Sequence, residues 1–282
     1  YKMIFRNLVF AAVVVGIISG VVLAAVQQIA VTPTIIAAEQ YEVADEAPAT
    51  NNGHNHASDH HGMALNATAH HGEATALDSA PQHDKGHSHD PEAWAPEDGF
   101  ERLFFTSFSN VLAGIGFGLL ILAAMTYQGK ANIKIGALWG IAGYLTFFVA
   151  PALGLHPEIP GMEAANLQGR QGWWLTTITL TAIGLGLIAF AHISLKAAGV
   201  VLLVIPHVLG APLPELAAGA SHFSHPDPQA VIALEALAAD FLQATAIANA
   251  AFWIVLGLSC GYFINKFEIL QKAKTAQEAK AA

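Results

Sequence analysis

The sequence predicts an all-α fold: a polytopic helical membrane bundle of six transmembrane helices, with five as the alternative count, and a disordered His-rich external loop. Three observations predict it. Apolar residues make up 54% of the chain and charged residues 12%, about half the charge usual in a soluble domain. The apolar residues gather into runs long enough to cross a hydrocarbon core of about 30 Å, at about 1.5 Å per helical residue. Lysine and arginine fall almost wholly on one side of those runs, as they do at the cytoplasmic ends of membrane helices.

Residues 1–31 read as an N-terminal signal-anchor helix. The run Leu8–Val31 is nearly all apolar and is preceded by Lys2 and Arg6. It would make about 36 Å of helix, whereas a cleaved signal peptide, the competing reading, has an apolar core of about 7–15 residues. Residues 32–102 follow as an extracytoplasmic loop rich in His, Asp and Glu. The helical membrane bundle is expected over residues 103–265, with long spans at Phe104–Tyr127, Ile135–Leu153, Trp173–His192 and Asp240–Ile264. Between the last two lies a shorter apolar run, Ala197–Leu213, whose 17 residues are at the lower limit for crossing. Residues 266–282 form a cytoplasmic tail.

The basic residues decide the reading of the short run. With six crossings, nine of the twelve lysines and arginines lie inside, and only Lys85, Arg102 and Arg170 lie outside. With five, the lysine-bearing tail would be external, against the positive-inside rule. Both termini are therefore expected in the cytoplasm and the His-rich loop outside it.

Metal capture is the chemistry this loop suggests. His54, His56, His60, His61, His70, His71, His83, His87 and His89 lie in it, nine of the fourteen histidines of the chain. Neutral imidazoles in H-H and H-x-H spacings can converge on a divalent transition metal without a rigid scaffold. The plainer alternative is a solvated linker, because the tract has almost no large apolar residues. Histidines alone would favour Cu²⁺ over Co²⁺, so any cobalt selectivity must come from deeper ligands. Other outer loops add His222 and His225, spaced as H-F-S-H, and His156, Glu158, Glu163 and Glu215.

Within the spans His207 is the candidate for a transport path, since an ionisable group in a bilayer is costly and marks function by default. Pro206 beside it removes a backbone donor and leaves a carbonyl of the preceding turn without its usual partner. Asp240, Gln243, Thr245 and Asn249 form a polar stripe that either lines a path or joins helices, with Asp240 the better path candidate. His192, near Lys196, reads as a boundary residue. The pairs Gly16/Gly20, Gly114/Gly118, Gly136/Gly140 and Gly257/Gly261 are spaced for close helix packing.

Several classes are excluded or disfavoured. A net charge of −9 argues against nucleic acid as a partner. Cys260 has no second cysteine to pair with and reads as an inert buried thiol. There is no G-x4-G-K-[ST] phosphate loop and no nucleophile–base pair in the spans, so no enzyme and no tightly bound cofactor are expected. His54, Asp59 and His60 fit the H-x4-D-H string of nickel/cobalt permeases, but in a polar loop instead of a helix. Cation-diffusion-facilitator exporters keep their His-rich loop in the cytoplasm and carry H-x3-D in a span, which is missing here.

Three stretches carry a family likeness: MIFRNLVFAAVVVGIISGVVLAAVQ from Met3, FVAPALGLHPEIPGMEAANLQGRQGWW from Phe148, and IPHVLGAP from Ile205. They resemble the CbtA family, the proposed cobalt transporter subunit of bacteria, over nearly the whole chain apart from the His tract. The resemblance implies a multi-pass protein of the bacterial inner membrane that imports Co²⁺ for cobalamin synthesis. It also implies a small single-span CbtB-like partner subunit beside the lipid bilayer and the divalent metal ion. Glu158, Arg170, Trp173, Trp174 and His207 fall within the family's motifs, which puts Arg170 with His207 on the implied transport path. The family is usually described with five spans, where the charge count here gives six. A non-transporting metal sensor or chaperone subunit, a Ni²⁺ or Zn²⁺ transporter component and a structural scaffold are the rival readings.

Overall fold

The computed structural model describes residues 2–46, 96, 99–216, 220–267 and 269. All nine tract histidines, His54 to His89, lie outside the described residues. The rest is helical, apart from loops and one isolated antiparallel bridge between Met162 and Phe223.

Helix α1 (Lys2–Val26) passes through a π turn at Gln27–Val31 into α2 (Thr32–Glu46). The expected end of the anchor at Val31 is thus corrected: only the apolar run stops there. Helix-forming Ala, Glu and Gln residues carry the helix on, and the loop begins after it. The extra residue of the π turn lets the Gln27 side chain meet α3 (Phe100–Gln128), where Asn110 Nδ2 donates to Gln27 Oε1 at 2.6 Å. Gly129 then ends α3 with φ of 70°, a left-handed cap that glycine adopts without strain. Helix α4 (Ile133–Tyr144) is capped by the Asn132 side chain, and runs through a second π turn, Leu145–Val149, into the short α5 (Ala150–Ala152).

Helices α6 (Leu167–Phe190) and α7 (Ile193–Leu209) form an antiparallel hairpin turning at Ala191 and His192. The last helix, α8 (Pro228–Lys266), begins twelve residues before the expected Asp240. Asp227 caps it by accepting from Gln229 N, and Pro228 occupies the first turn, where a missing N–H costs nothing.

Five helical runs are long and apolar enough to cross a membrane: Ile4–Tyr41, Phe100–Gln128, Ile133–Ala152, Leu167–Phe190 and Pro228–Lys266. Helix α7 is shorter, 17 residues, or about 25 Å. Contacts show which ends lie together. Asn7 Nδ2 donates to Phe267 O at 3.0 Å, and Asn265 Nδ2 to Ala131 O at 3.3 Å, so the start of α1, the α3–α4 turn and the end of α8 share one end of the bundle. The opposite end holds the Arg102–Glu39 ion pair at 2.6 Å, the Tyr41–His225 ring contact and the Met162–Phe223 bridge.

Two glycine seams hold the main body. A methyl added at Gly257 would stand 2.8 Å from Gly140 Cα, and one at Gly20 only 2.5 Å from Val111 Cα. Backbones thus touch where α4 crosses α8 and where α1 crosses α3, as the glycine spacing predicts. Between the seams, the rings of Phe117 and Phe147 stand 4.8 and 5.4 Å from Trp253. A third seam, Gly184 against Gly199, closes the α6–α7 hairpin on itself. We expect Gly257→Ala to lower stability by about 1–3 kcal/mol through forced separation of α4 and α8. Gly116→Ala, with nothing within 4 Å of its added methyl, should leave the protein unchanged. Thermal unfolding in detergent checks the pair, and equal midpoints would remove the seam from the account.

Candidate metal-handling site

Three segments far apart in sequence converge at the end of the α6–α7 hairpin away from its turn. The loop after α5 brings Gly154, where an added methyl would lie 2.5 Å from Trp173 Cη2 and 3.0 Å from Ala211 Cβ. The first turn of α6 brings Arg170, ion-paired with Glu158. Trp173, one turn deeper, donates from Nε1 to Pro206 O at 3.2 Å, and its ring meets His207 edge-on with 6.1 Å between centroids. Pro206 is fully buried and His207 half-buried.

Each residue's place follows from local chemistry. Asn166 caps α6 by accepting from Gly169 N, and this fixes the register that puts Arg170 and Trp173 on the hairpin side. Pro206 lacks an N–H, so the ladder of α7 loosens one turn before it ends at Gly210, whose φ of 80° suits glycine. His207 sits in the last turn of α7, at the end of the hairpin away from its turn. Glu158 and Arg170 are each about a quarter exposed. Arg170 Nε is buried without a hydrogen-bond partner among the described residues. The pair brings no net charge to the site, and the carboxylate is already committed to a cation.

A second cluster stands at the same end. Phe223 and Ile159 are buried and pin the H-F-S-H loop to the loop after α5. Glu163 N donates to His222 O at 2.7 Å, Ser224 Oγ to Glu163 Oε1 at 2.9 Å, and Ser221 Oγ to Glu235 Oε1 at 2.9 Å. His222 is exposed, whereas His225 Nδ1 accepts from Asp227 N at 3.0 Å. A neutral imidazole accepting at Nδ1 carries its proton on Nε2, so His225 can become a metal ligand only by giving up one of those roles. His156 and Glu215 are exposed and stand apart.

Other expectations change. Asp240 is exposed on α8, beside the buried Phe241 but outside the packed face. It lies 26 residues before Lys266, about 39 Å along the helix. Asn249 Nδ2 donates back to Thr245 O at 3.0 Å within its own helix, which lines no path with ligands. His192 bonds Ser194 at 3.2 Å as a helix-boundary residue would. Among the described residues no group of three or more His, Cys, Asp or Glu side chains gathers to hold a metal ion.

The family model described as "Probable cobalt transporter subunit (CbtA)" matches residues 5–265 of the 282. The chain belongs to the CbtA family. No curated protein and no solved structure matches it. With its apolar helices, this CbtA chain is a multi-pass membrane protein of a cobalt transporter. Two of the three stretches quoted from the sequence, Phe148–Trp174 and Ile205–Pro212, meet around Trp173. Sequence reading missed Gly154 as the bed for that ring and Pro206 O as its acceptor, a carbonyl of the last turn of α7 that also accepts from Gly210 N.

We expect Glu158→Gln to destabilise the protein by about 1–3 kcal/mol, because it leaves a half-buried guanidinium short of its charged acceptor. Glu158→Gln combined with Arg170→Gln should cost less than the sum of the single changes. Thermal unfolding of the four proteins in detergent checks this, and strict additivity would show that the two groups do not couple.

Proposed function

We propose that this CbtA chain imports a divalent transition metal, with Co²⁺ as the principal cargo and cobalamin synthesis as its use. The His-rich tract gathers the ion outside the cytoplasm, and the ion enters past His207. The observation that carries the reading is the convergence of two of the family's three stretches on one imidazole at the outer end of the α6–α7 hairpin. Among the described residues of that convergence His207 offers the imidazole, since Glu158 is held by Arg170. A single imidazole holds a hydrated cation loosely, which suits passage better than storage.

Six crossings and cytoplasmic termini in a bacterial inner membrane complete the proposal. The short α7 returns to the level of Trp173, and the described end of α8 lies beside the start of α1. The nine-to-three distribution of basic residues supports the same orientation. His222, His225 and the tract's attachment points at Glu46 and Gly99 then share the outer end. The tract histidines, His222 and His225 serve as the collecting ligands, and a CbtB-like single-span subunit is the proposed partner. Because no three-ligand group occurs among the described residues, a metal-binding subunit that passes its ion to a separate channel is the second reading.

Three outcomes test this. His207→Ala should abolish ⁵⁷Co uptake by cells or vesicles while insertion and stability persist; undiminished uptake would take His207 off the route. Deleting residues 51–91 should reduce uptake at low cobalt and spare it at high cobalt, since a loose collecting loop raises local concentration only when ions are scarce. A topology reporter fused after Lys274 should read cytoplasmic, and a periplasmic reading would make α7 a non-crossing element.

A further inference from the structure

The α6–α7 hairpin and the main body do not close on each other along their inner halves. Helix α6 meets the body chiefly at α5 and the second π turn, and again where Phe190 stacks on Trp139 with centroids 6.0 Å apart. Between these contacts lies a cleft of about 610 Å³ lined by α3, α4 and α6, with Trp253 at its floor. Its walls are apolar, with Leu120, Ala124, Leu138, Ala142, Ala182 and Ala189 among them. Leu120 and Leu138 stand 63% and 64% exposed at its lip, so it opens sideways to the bilayer.

Apart from Thr146 in the second π turn, polar side chains line the cleft only at its mouth by the α3–α4 turn. Gln128 and Lys130 both line the cleft there. Gln128 Oε1 is buried and has no hydrogen-bond partner among the described residues. A buried acceptor left unpaired is costly, so this oxygen calls for a donor from a bound group. Lys130 is exposed beside it and calls for an anion.

We propose that the cleft binds one acyl chain of an ethanolamine phospholipid from the leaflet on the side of the α3–α4 turn. The phosphate faces Lys130 and the ammonium donates to Gln128 Oε1. Dimensions support a single chain. From Ile135 to Phe147 the wall of α4 is about 18 Å long, close to the roughly 15 Å hydrocarbon depth of one leaflet. A transmembrane helix about 10 Å across and about 30 Å long needs several times the volume present. The lipid therefore acts as a wedge that sets the distance between the hairpin bearing His207 and the rest of the bundle. This inference rests on the membrane embedding but on neither the cargo nor the direction of transport.

Choline is the discriminating headgroup, because it keeps the phosphate and the positive charge but has no N–H to donate. Native mass spectrometry of the full chain, delipidated in detergent and offered ethanolamine or choline phospholipids of matched acyl chains, should show retention of the ethanolamine lipid by about tenfold, as one recovered hydrogen bond predicts. Gln128→Leu should abolish that preference. Lys130→Gln should weaken both lipids. Gly186→Phe should remove both, since Gly186 lines the cleft with nothing within 4 Å of an added methyl and the ring would fill the space. Equal retention of the two headgroups by the wild type would overturn the proposal. So would undiminished lipid on a Gly186→Phe protein whose thermal unfolding is unchanged, or a polypeptide protecting the cleft in place of lipid. Intact cobalt uptake alongside any of these would leave the import reading standing.

Discussion

The architecture depends on backbone touching backbone at glycine. In a bilayer, apolar side chains gain nothing by leaving lipid for protein, so helices associate only where they can approach closely enough to gain dispersion contacts and weak Cα–H···O bonds. The α1–α3 and α4–α8 seams provide this. They hold four helices as one body around the Phe117, Phe147 and Trp253 rings. Gly184 and Gly199 make the α6–α7 hairpin a second body by the same means. No comparable seam joins the two bodies, and the apolar cleft lies where one would have been.

Most polar groups along the spans are satisfied within their own helix. Ser19 Oγ donates to Val15 O, Thr126 Oγ1 to Leu122 O, Thr177 Oγ1 to Trp173 O and Asn249 Nδ2 to Thr245 O. Polar groups also act between elements at both ends of the bundle: Glu158 with Arg170, Trp173 with Pro206 and Glu39 with Arg102 at one, Asn7 with Phe267 and Asn265 with Ala131 at the other.

Much of this was legible in the sequence. Hydropathy located all the long spans, because a bilayer demands about 20 apolar residues per crossing whatever the fold. Glycine spacing gave the seams, since one helical turn sets which residues share a face. The helix extensions were harder: Thr32–Glu46 and the first turns of α8 are helical without being apolar, and a hydropathy window sees only apolarity. Asp227-Pro228 was a legible start signal that the larger apolar run overshadowed.

By itself the sequence determined the class and the five long spans, because composition and run length are properties of the chain that survive any packing, and its motif stretches gave the family. The tertiary structure alone decided which residues meet. Gly154, Trp173 and His207 are joined by close contacts between segments up to fifty residues apart, and no periodicity encodes such a meeting. It also decided that Glu158 faces Arg170, and that the cleft between the bodies stays open, since both depend on how helices of fixed shape fit together in space.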